Sequence, residues 1–126
     1  MTKYARQILE IVNKAKEHPT AEQVYLKLKN KQPKVVLATI YNNLNMLYRE
    51  GYIRKISVEG WPDRYDNATK HDHLVCKVCG KLTDLHVDDL TETLSGQIGE
   101  EMLSYELIVK HVCDDCKGRI AAVNKR

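Results

Sequence analysis

His71-Asp72-His73-Leu74-Val75-Cys76-Lys77-Val78-Cys79-Gly80 gathers two imidazoles, a short apolar run and a Cys-x-x-Cys pair within ten residues. The stretch reads as a strand running into a tight turn. Residues i and i+2 of a strand share a face, so His71 and His73 can address one ion. Two residues between Cys76 and Cys79 let both sulfurs face a single tetrahedral metal. Gly80 permits the turn that brings backbone N–H groups near those sulfurs. Cys113-Asp114-Asp115-Cys116 repeats the spacing and uses up the remaining two of the four cysteines. The 33 residues between the pairs exceed the gap of a compact zinc ribbon. They read as a strand over 82–85, a helix over 88–103 with Leu90, Leu94, Ile98 and Met102 inward, and a strand over 106–112. Asp88 and Asp89 suit the start of that helix, whereas Gly96 and Gly99 inside it cost about 1 kcal/mol each relative to Ala. A structural zinc on Cys76, Cys79, Cys113 and Cys116 would tie the ends of a subdomain whose own core is thin. A redox dithiol is the rival; two pairs without a βαβ pattern favour zinc. The basic tail after Cys116 reads as a frayed helix.

Upstream the periodicity is helical. Ile8, Leu9, Ile11, Val12 and Ala15 mark a first helix over 3–16. His18-Pro19-Thr20 interrupts it, and Thr20 with Gln23 forms a capping box that starts a second helix at Ala21. Val24, Tyr25 and Leu28 are its inner face. A third helix, 37–50, sets Leu37, Ile40, Tyr41, Leu44, Leu47 and Tyr48 on one stripe and ends at Gly51, where a left-handed cap is wanted. Its other face carries Thr39, Asn42, Asn43, Asn45, Met46 and Arg49. An Asn-rich face with few charges suits hydrogen bonding to base edges; an ordinary solvated face is the bland alternative. Residues 52–57 and 64–66 then form a hairpin around Glu59-Gly60-Trp61-Pro62-Asp63. Three short helices and a hairpin make a winged helix-turn-helix. The expected class is therefore α+β: a winged-helix DNA-binding domain over 1–66, a hinge over 67–70, and a small α/β metal-binding domain over 71–126.

The chain has 126 residues and a net charge of +3. Residues 1–66 hold 12 Lys/Arg against 7 Asp/Glu, and residues 67–126 hold 8 against 10. A basic front half suits a polyanion, although a solvated Lys-rich surface has the same composition. No apolar run is long enough to span a bilayer, and residues 1–7 lack an apolar signal core. A cytoplasmic protein with no membrane partner is expected, in a compartment where permanent disulfides are uncommon.

His71 and His73 have further potential partners. Asp84 lies on the strand after the knuckle, where pairing with 71–76 would offer a carboxylate. Asp66 ends the hairpin, and His18 precedes the capped second helix. Each alone is an ordinary surface group. Together they supply three imidazoles and two carboxylates, a mixed N/O set suited to Fe(II), Mn(II) or Zn(II). Five ligands leave an octahedral ion one open position.

Several stretches together resemble the ferric uptake regulator family of metal-dependent bacterial repressors. They are residues 18–25 (HPTAEQVY), 37–44 (LATIYNNL), 64–66 (RYD), 71–81 (HDHLVCKVCGK) and 113–116 (CDDC). The resemblance runs from about Thr2 to the last cysteine pair. It implies a homodimer that binds double-stranded operator DNA, with 71–126 as its dimerisation domain and structural Zn(II) on the four cysteines. It also implies regulatory Fe(II) or Mn(II) on His18, Asp66, His71, His73 and Asp84, and a recognition helix over 38–49. Thr39, Tyr41, Asn42, Asn43 and Arg49 are the expected DNA contacts.

Asp66, where iron sensors usually carry Glu, and Tyr41-Asn42-Asn43, which lacks an Arg after the Tyr, resemble the peroxide-sensing branch. There His18 and His71 are the expected sites of Fe(II)-catalysed oxidation. The additional metal site of many iron sensors is matched by Asp72 but not by Lys70, Thr91 and Tyr105. The family's usual first helix is missing, and the 66–71 connection is about one residue shorter than in the best-known peroxide sensors. An iron- or manganese-responsive uptake repressor without peroxide chemistry is the main alternative. A zinc-ribbon adaptor and a non-heme metalloenzyme are the alternatives from other classes. Without a Ser/His/Asp, phosphate-loop or HExxH signature, no enzyme activity is expected.

Overall fold

The computed structural model describes residues 1–69 and 71–124, the last three as backbone only. The chain forms two compact units, Met1–Thr69 and Lys70–Arg126.

The first unit runs α1 (Lys3–Lys14), α2 (Ala21–Lys29), α3 (Leu37–Arg49), β1 (Ile53–Ile56) and β2 (Arg64–Asn67). Thr2 caps α1, its hydroxyl accepting from the Ala5 N–H at 3.1 Å. The helix stops at Lys14, two residues before the expected end, because Ala15 is already extended. The capping box of α2 is present in full. The Thr20 hydroxyl accepts from the Gln23 N–H at 3.2 Å, and the Gln23 amide oxygen accepts from the Thr20 N–H at 2.9 Å. A Schellman motif ends α3: Tyr52 N–H bonds Leu47 O at 2.9 Å and Gly51 N–H bonds Tyr48 O at 3.1 Å. Gly51 supplies the left-handed residue at φ 81° that this motif needs.

Ile40, Leu44 and Leu47 of α3 are fully buried among Ile8, Val12, Val24, Leu28, Ile53 and Tyr65. Two expectations for α3 fail. Tyr41 and Tyr48, expected on the inner stripe, are 38% and 41% exposed. Met46, expected on the polar face, is half-buried against the core. With only three turns, the helix buries a narrower stripe than its apolar residues span. β1 and β2 pair antiparallel from Ile53↔Asn67 to Ile56↔Arg64. Three helices and this hairpin form a winged helix. Asn67, expected in the hinge, closes β2, and Lys70 lies outside the described residues.

The second unit runs β3 (Asp72–Cys76), β4 (Leu82–Leu85), α4 (Thr91–Ile98), β5 (Ile108–His111) and α5 (Asp114–Asn124). Its sheet has the order β4-β3-β5, with β4 antiparallel and β5 parallel to β3. Among the described residues the buried apolar set is small: Val75, Leu82, Cys76, Cys113 and Cys116. α4 covers half of the expected 88–103. Leu90 is its N-cap residue, and Gly99 at φ 79° ends it in the left-handed region. None of its residues is buried, and Ile98, expected inward, is 57% exposed. Leu90, Leu94 and Met102 are half-buried. α5 opens before Cys116 rather than after it; the last two tail residues lie outside the described region. No helix among the described residues is long and apolar enough to cross a membrane.

Candidate metal centres

Cys76 ends β3, and the chain folds back at once: Gly80 N–H bonds Cys76 O at 2.8 Å with Gly80 at φ 78°. Lys77 N–H bonds His111 O at 2.9 Å, which fastens the turn to the end of β5. Cys113 stands just before α5 and Cys116 lies in its first turn. All four cysteines are free thiols. Each offers a sulfur within 4.8 Å of the others, and Cys79 Sγ lies 3.8 Å from Cys113 Sγ. Zinc–sulfur bonds of about 2.3 Å give a tetrahedron with edges of about 3.8 Å, so the donor set fits zinc. The N–H groups of Cys113 and then Cys79 aim at the Cys76 sulfur and pull its thiol down to about 5. The hydrogen bond with Cys113, then burial, pushes the Cys116 thiol up to about 12. Four clustered sulfurs cannot all ionise without a compensating cation.

The first unit holds a second set of donors. His18 takes a left-handed backbone, φ 53°, which is uncommon outside glycine and marks functional sites. Tyr65 N–H bonds Pro19 O at 2.9 Å, and Thr20 bridges Arg64. These contacts draw the α1–α2 connection onto β2 and set His18 Nε2 3.3 Å from Asp66 Oδ2. Both side chains are 5% exposed. The Asp66 carboxylate is held by the Asn67 N–H, 2.8 Å from Oδ1.

The second unit holds a third set. His73 on β3 stands opposite Asp84 on β4. His71 Nε2 lies 3.1 Å from Asp84 Oδ1 and His73 Nε2 lies 3.9 Å from it, and the two rings are 4.7 Å apart. His73 is 2% exposed and is anchored by its N–H to Leu107 O at 3.2 Å. Two imidazoles and a carboxylate converging here are a donor set for Fe(II) or Mn(II). The same unit ties Asp89 to neutral groups. Thr91 Oγ1 donates to its Oδ1 at 2.6 Å, and the Tyr105 hydroxyl reaches the same oxygen at 3.4 Å. Among the described residues, no group of three or more metal-ligating side chains forms around Asp72, Thr91 and Tyr105.

On α3, Asn42 and Arg49 are exposed, and Thr39 and Asn43 are half-buried. The Asn43 amide donates back to Thr39 O at 2.8 Å. The Tyr41 hydroxyl donates to Glu22 Oε1 at 2.7 Å. Glu22 was missed in the sequence; the capping box located the start of α2 but carries no sign of a contact 19 residues away.

The peroxide operon regulator of Bacillus subtilis (strain 168) is 31% identical over 113 residues, covering 86% of this chain and 78% of that protein. The peroxide-responsive repressor PerR of Staphylococcus epidermidis is 29% identical over 123 residues, covering 93% and 81%. The crystal structure of the Campylobacter jejuni peroxide stress regulator matches with a TM-score of 0.79 and 31% identity, covering 89% of this chain and 87% of that one. Residues 1–117 match the model of the ferric uptake regulator family, and with the winged helix and four-cysteine centre in place the chain belongs to that family.

Proposed function

We propose that this chain is a metal-dependent transcriptional repressor that senses peroxide, and not an enzyme. Residues 1–66 form its DNA-binding head and 71–126 its dimerisation half, joined through 67–70. The observation that carries the reading is the division of donors. His18 and Asp66 converge in one compact unit, and His71, His73 and Asp84 converge in the other. Two donors or three leave an octahedral Fe(II) or Mn(II) under-ligated, whereas five hold it with one position open. Ligands drawn from both units make metal affinity depend on how the head is oriented, which is the differential affinity a switch requires.

A second copy of the chain is the partner of the dimerisation half. β5 is an edge strand of the β4-β3-β5 sheet, with Val109 38% exposed, and exposed edges invite a further strand. Two heads related by a dimer axis then present α3 to successive major grooves. Thr39, Tyr41, Asn42, Asn43 and Arg49 face the operator, and the Lys and Arg side chains of the head meet phosphates.

Fe(II) held by these side chains would supply one-electron chemistry toward peroxide that Mn(II) does not readily support. His18 and His71 are the rings expected to take the oxygen. One peroxide per ring would be the two-electron oxidant: a ring C–H becomes C–OH, the second peroxide oxygen leaves as water, and the modified imidazole loses its ability to ligate. The head is then released from its DNA-binding orientation.

The test is a DNA-binding titration at fixed salt, because phosphate contacts make affinity steeply salt-dependent. Mn(II), Fe(II) and chelator are compared before and after peroxide, with mass spectrometry of the treated protein. Both metals promote binding, and peroxide abolishes only the Fe form while adding oxygen to His18 and His71. If peroxide leaves the Fe form bound and unmodified, the chain is a metal-uptake repressor instead. Binding indifferent to the second metal would sink the switch altogether.

A further inference from the structure

We infer that Glu22 fixes the hydrogen-bonding polarity of Tyr41 on α3 and so determines which bases Tyr41 accepts. The inference rests on the DNA-binding reading and goes beyond it. Glu22 lies in the first turn of α2 and Tyr41 in the second turn of α3. Their contact, 2.7 Å between the phenol oxygen and Oε1, falls within the distance expected for a hydroxyl donating to a carboxylate. The Tyr41 side chain remains 38% exposed, so the pair sits on the presented surface of the helix-turn-helix.

A phenol has one proton to donate and lone pairs with which to accept. The Tyr41 proton is committed to Glu22. This hydrogen bond holds the Glu22 carboxyl below its ordinary range and raises the Tyr41 phenol, so the proton stays on the tyrosine and the bond has the form O–H···O⁻. What Tyr41 offers DNA is therefore an acceptor, and its oxygen is made richer in electron density by the charged partner. In the major groove, adenine N6–H₂ and cytosine N4–H₂ donate, whereas guanine N7 and O6 and thymine O4 accept. A Tyr41 held by Glu22 thus favours adenine or cytosine and disfavours guanine and thymine. Freed of Glu22, the same hydroxyl rotates and can donate or accept, and the preference is lost. Glu22 acts here as a positioning residue; it orients the group that reads the base.

The experiment selects duplexes from a randomised library with the full-length protein loaded with zinc and Mn(II). Wild type is compared with E22A, Y41F and the double variant, with thermal midpoints recorded to confirm folding. Wild type should prefer adenine or cytosine at one position of each half-site by at least about fivefold, the low end of what one base contact contributes. E22A and Y41F should each flatten that position alone, and the double variant should be no worse than either single one, as expected for two residues acting through one bond. Unchanged preference in E22A overturns the inference, as does E22A and Y41F acting on different positions or additively. If wild type enriches no sequence, the DNA-binding reading fails and takes the inference with it.

Discussion

His73 and Asp84 face each other across the antiparallel β3–β4 ladder, with His73 Nε2 3.9 Å from Asp84 Oδ1. His71, two residues earlier on the same side, reaches the same carboxylate oxygen at 3.1 Å. Strand alternation aligns the imidazoles, and the ladder register selects the carboxylate that joins them. A slip of one residue would turn Asp84 to the opposite face.

Replacing Asp84 with Ala should therefore weaken Mn(II) binding by at least about tenfold, in line with the loss of groups that hold or orient metal ligands, while zinc content is unchanged. Titration of Mn(II) followed by electron paramagnetic resonance, with elemental analysis for zinc, measures both. Unaltered Mn(II) affinity would remove Asp84 from the site.

The four-sulfur centre supports a unit with little other core, because among the described residues only Val75 and Leu82 join the cysteines as buried apolar side chains. Cys79→Ser should release the zinc and unfold the second unit, since structural zinc supplies folding free energy directly. Limited proteolysis of the full chain should then cut within residues 71–124. Continued protease resistance after measured zinc loss would show that the sheet stands without the metal.

Thr20 both caps α2 and bridges Arg64 next to the His18–Asp66 pair. Thr20→Ala should cost about 1 kcal/mol from the cap, which lowers the melting temperature of a unit this size by about 4–8 °C. Calorimetry reads the shift, and a change under one degree would contradict the role of the cap.

Tyr65 is 2% exposed, and burial, with lesser help from Asp63, pushes its phenol up to about 12. The raised value means that its contribution is complete below the unfolded phenol value near 10 and is lost as pH rises towards 12. Tyr65→Phe should remove that part of the alkaline loss. Denaturant midpoints between pH 9 and 12 compare the two proteins, and parallel curves would refute the assignment.

Much of this was legible without coordinates, and the reasons are local. Thr20 and Gln23 announced the start of α2, Gly51 the end of α3, and the two Cys-x-x-Cys pairs the zinc centre, because caps, turns and ligand spacing act over a few residues. Longer stretches were less legible. The helix over 88–103 shrank to Thr91–Ile98 because Gly99 adopts a left-handed cap and none of the helix's residues is buried. Met46 and Tyr41 exchanged expected environments because burial on α3 depends on what packs against it.

By itself the sequence determined the donor types, the order of the elements and the family. Tertiary structure decided which donors meet. His18 reaches Asp66 only because backbone bonds draw residues 19 and 20 onto β2. Asp84 reaches His71 and His73 only through the β3–β4 register. Glu22 meets Tyr41 only through the packing of α2 on α3. Each of these is a contact between distant parts of the chain, set by ladder and core geometry rather than by any local residue preference.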